Sequence, residues 1–170
     1  MKPFVIFLIS LAVLVSSCSD EEADMRLSNL ETPVVTGYEW RDVNAQLVKT
    51  IGTPNIKLGN ESNDYSSAYY FKSYPNPCSD ELAVFVKMPN PDQTIKSWIV
   101  QAQYTDQVTN SPNQIGNSVT MHAGGAPILQ QEFSGNVTIF DVSELKNGYY
   151  RLYLRVDGIL LYDNIYVNRN

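Results

Sequence analysis

The pattern of apolar and polar positions becomes regular from Tyr65 onward, where short alternating runs are separated by turn residues. In one such run, Leu82, Val84 and Val86 share one side, as they do in a strand with one buried face. The predicted strands are Tyr65–Tyr74, Glu81–Lys87, Thr94–Thr105, Ser118–His122, Ile128–Phe133, Asn136–Phe140, Tyr149–Val156 and Ile159–Val167. Short strands at this spacing are typical of an all-β sandwich or barrel.

The last two strands predict a hairpin whose register is set by the dipeptide Asp157-Gly158. A two-residue hairpin turn of type I′ needs a positive φ at both of its central residues. An Asp-Gly dipeptide favours this turn, because both residues adopt a positive φ more readily than most others do. The pairing that follows gives one apolar face, with Val156 opposite Ile159, Leu154 opposite Leu161 and Tyr150 opposite Ile165. Asp163 falls opposite Leu152 on this face, so either a bulge turns Asp163 outward or the burial of the strand ends there.

The other face of this hairpin is rich in tyrosine and arginine, residues that are enriched at interface hot spots. A tyrosine offers a flat ring and a hydroxyl, which suit a sugar or a protein. We therefore define a candidate binding face as Tyr149, Arg151, Tyr153, Arg155, Tyr162 and Tyr166. Two alternatives stay open: the ladder only stabilises the sheet, or the segment around Tyr38–Trp40 covers it.

The start of the chain predicts export and lipid attachment. Lys2 precedes an apolar run, Phe4–Val15, that is too short for a membrane span of about 20 residues and has the length of a signal-peptide core. Two small residues and Cys18 follow, an arrangement that resembles a bacterial lipobox, in which the cysteine is acylated. Residues 1–17 are thus predicted to be a lipoprotein signal peptide; the alternative is an ordinary signal peptide with a chance cysteine.

The residues after Cys18 predict a tether and a location. Ser19, Asp20, Glu21 and Glu22 resemble the surface-export signal of lipoproteins in one Gram-negative phylum, and otherwise form a solvated acidic linker. We expect an acidic tether at 18–33 and an irregular segment with one or two strands at 34–64. These features predict an outer-membrane lipoprotein of the cell envelope that faces the exterior.

Composition narrows the chemistry further. Hydrophobic residues make up 44 % of the chain and charged residues 18 %, an ordinary globular mixture. The formal net charge of −6 argues against nucleic acid as a partner, since nucleic acid binding needs a basic face. If Cys18 carries lipid, Cys78 has no disulfide partner, and we expect it to be buried as a small apolar residue. No metal or cofactor motif is present, and His122 lies in a glycine-rich stretch without a nucleophile motif, so we expect no enzyme and no cofactor.

Two motifs resemble the C-terminal sorting domain of type IX secretion. They are Tyr74-Pro75-Asn76-Pro77-Cys78-Ser79-Asp80-Glu81-Leu82 and Asp141-Val142-Ser143-Glu144-Leu145-Lys146-Asn147-Gly148-Tyr149-Tyr150. The resemblance covers about residues 66–170 and implies a seven-stranded immunoglobulin-like sandwich at 65–170. From the residues alone, the prolines predict a turn, Leu145 can plug the end of the sandwich, and Asp141–Gly148 is the one helix-like segment.

These observations lead to three hypotheses of function. The first is a non-catalytic surface lipoprotein, held at the outer membrane by its lipid, that acts as a binding or structural module for a protein or glycan ligand. The second is a type IX-associated protein that the secretion machinery recognises through its C-terminal domain. Only about 50 residues separate Cys18 from that domain, which favours a stand-alone module over a sorted cargo. The third is a small envelope enzyme or inhibitor.

Overall fold

The computed structural model describes residues 32–61, 69–106 and 125–169, and all regular structure in these ranges is β-strand. The strands are β1 (Val34–Val35), β2 (Gly37–Arg41), β3 (Leu47–Gly52), β4 (Tyr70–Tyr74), β5 (Glu81–Lys87), β6 (Ile95–Gln101), β7 (Gln103–Tyr104), β8 (Pro127–Phe133), β9 (Val137–Asp141), β10 (Gly148–Val156) and β11 (Ile159–Val167). The predicted strand Ser118–His122 and the beginning of Tyr65–Tyr74 lie outside the described residues. Within the described ranges, no helix is long and apolar enough to cross a membrane.

Two antiparallel sheets form a sandwich. One has the strand order β4-β5-β9 and the other β11-β10-β6-β8. In chain order, the first, second and fifth strands of the sandwich share a sheet, as in immunoglobulin-like domains, and the fourth joins the third, sixth and seventh. The prediction of an all-β antiparallel sandwich of about seven strands is confirmed.

The core lies between the two sheets and follows the alternation of the strands. Leu82, Val84 and Val86 point inward from β5, while Leu152 and Leu154 meet them from β10, and all five are buried. Each such side chain contributes about 1.5–3 kcal/mol when it leaves water. The alternate residues of β10 point to the opposite side of their sheet, which is the side of the candidate binding face.

The hairpin of β10 and β11 has the predicted register at every pair, from Val156 opposite Ile159 to Tyr149 opposite Tyr166. Asp157 and Gly158 have φ values of 50° and 72°, as the predicted turn requires. The turn fixes the first pair, and the strict alternation along both strands fixes the rest.

Both explanations offered for Asp163 are wrong. Asp163 stays opposite Leu152 with no bulge, and it is fully buried. A buried carboxylate needs a charged or hydrogen-bonding partner. Its partner is the guanidinium of Arg41 on β2, which comes from the far end of the described chain.

The N-terminal segment, defined here as residues 32–61, carries more strand than the sequence indicated. β1 pairs in parallel with β7, and β2 pairs with β3 in an antiparallel hairpin with a bulge at Trp40/Arg41. Nearly every residue of β3 is exposed, so this strand buries no apolar face of its own. The segment lies along the β11 edge of the four-stranded sheet, where Tyr38 packs on the outer side and Arg41 reaches Asp163 on the core side.

The turn at Tyr74–Cys78 joins this segment to the C-terminal strand. Asn76 is fully buried; its side chain accepts a hydrogen bond from the amide of Tyr166 at 2.9 Å and donates to the carbonyl oxygens of Glu39 (3.0 Å) and Asn164 (2.9 Å). Cys78 is buried, as predicted. The conformation of this turn is therefore stabilised by the side chain of Asn76 as well as by the two prolines.

The helix-like interpretation of Asp141–Gly148 is wrong. The segment forms a tight turn in which the carboxylate of Asp141 accepts the amide of Ser143 at 3.0 Å and the carbonyl of Val142 accepts the amide of Leu145 at 3.0 Å. Hydrogen bonds from the hydroxyl and from the amide of Ser143 hold the pKa of Asp141 below its usual value. Leu145 is buried against the core, so this turn closes one end of the sandwich.

Candidate binding face

The six residues of the candidate binding face all lie on the outer side of the four-stranded sheet, but they differ in burial. Tyr153 and Arg151 are only 3 % and 9 % exposed. Tyr149, Arg155, Tyr162 and Tyr166 are half-buried. The face is therefore closed at its centre and partly accessible at its two ends.

The N-terminal segment closes the centre of the face through polar contacts. Arg151 donates from Nη2 to the carbonyl oxygens of Val34 (3.0 Å) and Asn55 (3.3 Å). Asn164, its cross-strand partner, donates to the carbonyl of Gly37 (2.8 Å) and to Oδ1 of Asn55 (2.8 Å), and accepts from Nε of Arg151 (3.0 Å). The side chain of Arg151 is thus hydrogen-bonded to carbonyl groups of the protein's own backbone and to Asn164.

Backbone pairing extends this cover to the edge of β11. The amide of Lys57 donates to the carbonyl of Tyr162 at 2.8 Å, and the amide of Tyr162 returns a bond of 2.9 Å. Nearer the C-terminus, the amide of Cys78 donates to the carbonyl of Tyr166 at 3.0 Å. An edge strand with unpaired backbone groups invites association with other chains, and these contacts occupy such groups along β11.

An ion pair anchors the segment beneath this cover. Nη1 of Arg41 lies 2.6 Å from Oδ2 of Asp163, and the same oxygen accepts the hydroxyl of Ser73 at 2.7 Å. Burial alone would lower the pKa of Arg41, but the carboxylates of Asp163 and Glu39 raise it above its ordinary value. Arg41 therefore stays charged, and its charge is neutralised within the fold.

The first aromatic cluster lies at one end of the face. Tyr104 stacks on Tyr149 with 4.5 Å between ring centroids, and Tyr149 stacks on Tyr166 at 4.7 Å. Tyr38 of the N-terminal segment packs against both Tyr149 and Tyr166. Burial and the neighbouring tyrosines raise the pKa values of Tyr38 and Tyr149, so these phenols stay neutral at physiological pH. At this end Tyr38 thus covers part of the face, which is one of the two alternatives that the sequence left open.

The second aromatic cluster lies at the other end. Trp98 of β6 stacks on Tyr153 at 5.4 Å, and Tyr153 contacts Tyr162 at 6.0 Å. The guanidinium of Arg151 lies 4.9 Å from the ring of Tyr162, and that of Arg155 lies 5.9 Å from the ring of Trp98. Burial raises the pKa of Tyr162, against the opposing effect of Arg151.

The second cluster continues onto β8, which sequence analysis left out of the face. Trp98 pairs with Gln130 of β8, and Lys96 pairs with Glu132 one row further along. Gln130 is exposed. The hairpin register alone could not reveal these neighbours, because the pairing of β10 with β6 and of β6 with β8 joins strands that are distant in sequence. We call Trp98, Gln130, Arg155 and Lys96 the Trp98 corner.

The described residues hold no cluster of side chains suited to binding a metal ion. Across residues 32–61, 69–106 and 125–169, no group of three or more His, Cys, Asp or Glu side chains is placed to hold a metal ion. Burial raises the pKa of Cys78 to about 11, which leaves it as a neutral thiol. His122, the lipidation candidate Cys18 and the export residues Ser19, Asp20, Glu21 and Glu22 lie outside the described residues.

No protein-family model, no curated protein and no solved structure matches the chain.

Proposed function

We propose that the protein is a non-catalytic lipoprotein of the cell envelope that is anchored at the outer membrane through Cys18 and presents its sandwich to the exterior. The charged start, the short apolar run and the small residues before Cys18 support the anchor. Fully extended, the chain between Cys18 and Val34 spans at most about 55 Å. The sandwich would therefore work close to the membrane surface.

The sandwich acts in this proposal as a binding module for a protein or glycan. The observation that supports it most is the half-exposed aromatic and arginine surface at the ends of the four-stranded sheet. Stacked aromatic rings support this surface, and aromatic and arginine side chains are the usual anchors of binding interfaces. The centre of the same face is occupied by the protein itself, so the ends are where a ligand has access.

Protease treatment of intact cells tests the location. The wild-type chain should be radiolabelled by palmitate and degraded by external protease, while Cys18→Ala should lose the label. Resistance of the labelled protein to protease in intact cells, with sensitivity after lysis, would place it in the periplasm and contradict exterior display.

A matched pair of charge reversals tests the binding module. Arg155 and Lys49 each lie over a tryptophan ring, at 5.9 Å from Trp98 and 4.7 Å from Trp40. On an array of envelope polysaccharides and outer-membrane proteins, Arg155→Glu should abolish the binding seen for the wild type, and Lys49→Glu should leave it unchanged. Equal binding by both variants would show that the ligand does not bind at the candidate binding face.

Recognition by type IX secretion is a second proposal, and one arrangement favours it. The two motifs that resemble the sorting domain both contact the C-terminal residues: Asn76 accepts the amide of Tyr166, and Arg169 donates to the carbonyl oxygens of Val142 and Leu145. Deletion of Val167–Asn170 should block export if these residues form the recognised end. Because Val167 is buried, Val167→Ala serves as the control for lost stability. Unaffected export of the deleted chain would contradict this proposal.

A further inference from the structure

We propose that the Trp98 corner binds a carboxylate-bearing polysaccharide, with Trp98 as the platform for a sugar ring and Arg155 as the partner of the carboxylate. The inference rests on the proposed function that this sheet face binds a ligand, and it adds the place and the ligand class. It moves the site from the β10–β11 hairpin, whose centre is closed, to the outer side of β6 and β8.

The aromatic part of the argument comes from the stacking of Trp98. One face of its ring lies on Tyr153, with an interplanar angle of 19°. Because β6 lies between β10 and β8, the other face of the ring is directed toward β8, the edge strand of the sheet. The neighbour on that side is the exposed residue Gln130. The C–H groups of a sugar ring carry partial positive charge and pack well on the negative face of an indole.

The charged part comes from Arg155. Arg155 is half-buried, and its guanidinium lies over the indole ring at 5.9 Å from the ring centroid. No carboxylate in the described part of the chain forms an ion pair with it. Arginine has five N–H donors in a planar fork that matches a carboxylate in two parallel hydrogen bonds. Arg41 and Arg151, which unlike Arg155 are buried, donate hydrogen bonds to partners inside the protein. Arg155 is thus available to a ligand.

Lys96 adds positive charge to the same corner. It is opposite Arg155 on β6, and its contact with Glu132 spans 3.7 Å between two exposed side chains. Such an exposed pair is weak, so Lys96 can turn to a ligand. The whole chain has a formal charge of −6, and an acidic polymer would be repelled by it except at a local cationic site.

The combination of groups favours an acidic sugar over an acidic peptide. An acidic peptide needs cations alone, whereas the Trp98 corner joins them to the half-exposed indole ring of Trp98 and to the amide of Gln130, which can both donate and accept a hydrogen bond. Sugar hydroxyls use such an amide, and a uronate ring uses all three kinds of group at once.

The test uses the full chain in detergent and measures its retardation in native gels that contain polygalacturonate, an uncharged glucan or polyglutamate. The wild type should bind polygalacturonate, and Trp98→Ala and Arg155→Gln should each raise the apparent Kd at least about tenfold. Gln130→Ala, at an exposed position, should weaken binding without loss of fold. Trp40→Ala is the matched control, because Trp40 is a tryptophan outside the Trp98 corner that also has a cation over its ring, and this variant should bind as the wild type does.

The outcomes separate this inference from the proposed function. Binding of the glucan in a manner sensitive to Trp98→Ala but not to Arg155→Gln would overturn the acidic ligand and leave the binding module intact. Equal retardation by polyglutamate, insensitive to Trp98→Ala, would show a general attraction for anions and overturn the sugar platform. No retardation by polygalacturonate would overturn the inference, while the location of the lipoprotein would still be decided by the intact-cell protease test.

Discussion

The guanidinium of Arg41 and the carboxylate of Asp163 form a buried ion pair at 2.6 Å between the N-terminal segment and the C-terminal strand. Asp163 lies on the core side of β11, where its neighbours across the strand pair are apolar. A charge in that position is stable only with its partner, so the ion pair makes the N-terminal segment part of the sandwich instead of a loose extension.

Removal of one charge of this pair should therefore destabilise the protein strongly. Arg41→Gln leaves the fully buried carboxylate of Asp163 without its counter-ion, and we expect a loss of about 3–5 kcal/mol in the free energy of unfolding. Urea denaturation monitored by tryptophan fluorescence measures it. Glu132→Gln breaks the exposed pair with Lys96 and should cost less than about 1 kcal/mol. A similar small loss in both variants would show that the ion pair does not hold the segment.

The buried side chain of Asn76 gives a second prediction. Asn76→Ala leaves the amide of Tyr166 and the carbonyl oxygens of Glu39 and Asn164 without their partner. Each buried group left unsatisfied costs about 1–3 kcal/mol, so the loss of unfolding free energy should exceed about 2 kcal/mol. Asn90→Ala is the control: its side chain accepts a hydrogen bond from the amide of Asp92 in an exposed turn. Thermal melts that place both variants within a degree of each other would contradict this role for Asn76.

The register of the last hairpin was predictable from sequence, and the partner of Asp163 was not. Asp157-Gly158 sets the first pair, and alternation sets the others, so local information is sufficient there. The pair of Asp163 with Arg41 joins residues 122 positions apart. The residues adjacent to each of them in sequence give no indication of the other. Sequence analysis could mark Asp163 as an exception to the pattern but could not name its partner.

The candidate binding face was predictable only in part, for a similar reason. The hairpin register placed its six residues on one side correctly. The cover over Arg151 consists of backbone carbonyl groups from Val34 and Asn55, which side-chain patterns do not reveal. Trp98 and Gln130 joined the face only through the order of strands in the sheet.

Cys78 should be inert in the native protein. Burial raises the pKa of its thiol to about 11, compared with 9.0 for a free cysteine. At pH 8 the thiolate fraction is then about a hundredfold smaller than in the unfolded chain, and alkylation by iodoacetamide should be slower by at least about this factor. The Cys18→Ser background restricts the reaction to Cys78. Equal rates with and without denaturant would contradict its burial.

Alkaline pH should destabilise the fold through its buried and half-buried tyrosines. Burial raises the pKa of Tyr70 to about 12, and also raises those of Tyr38, Tyr149 and Tyr162, from an ordinary value of 10.0. Because the native state holds these protons more tightly than the unfolded state, their stabilisation is complete below pH 10 and is lost as the pH rises toward 12.

Thermal melts between pH 8 and pH 12 measure this loss. The melting temperature should fall steeply above pH 10 in the wild type, and Tyr70→Phe should show a shallower fall because one of the raised groups is absent. If the wild type and Tyr70→Phe lost stability in parallel, the phenol of Tyr70 would titrate alike in the folded and unfolded states.

Hydrogen exchange of backbone amides tests most directly whether the N-terminal segment is docked on the C-terminal strand. The amides of Arg41, Lys57 and Tyr162 donate to carbonyl groups across this junction at 2.8–2.9 Å. They should exchange at least about a hundredfold more slowly than unprotected amides, and Asp163→Asn should speed the exchange of Arg41 and Lys57 far more than that of Leu154 in the core. Rapid exchange of the Arg41 and Lys57 amides in the wild type, with the amides of β10 still protected, would contradict the docking of the N-terminal segment. The whole candidate binding face would then be open to solvent.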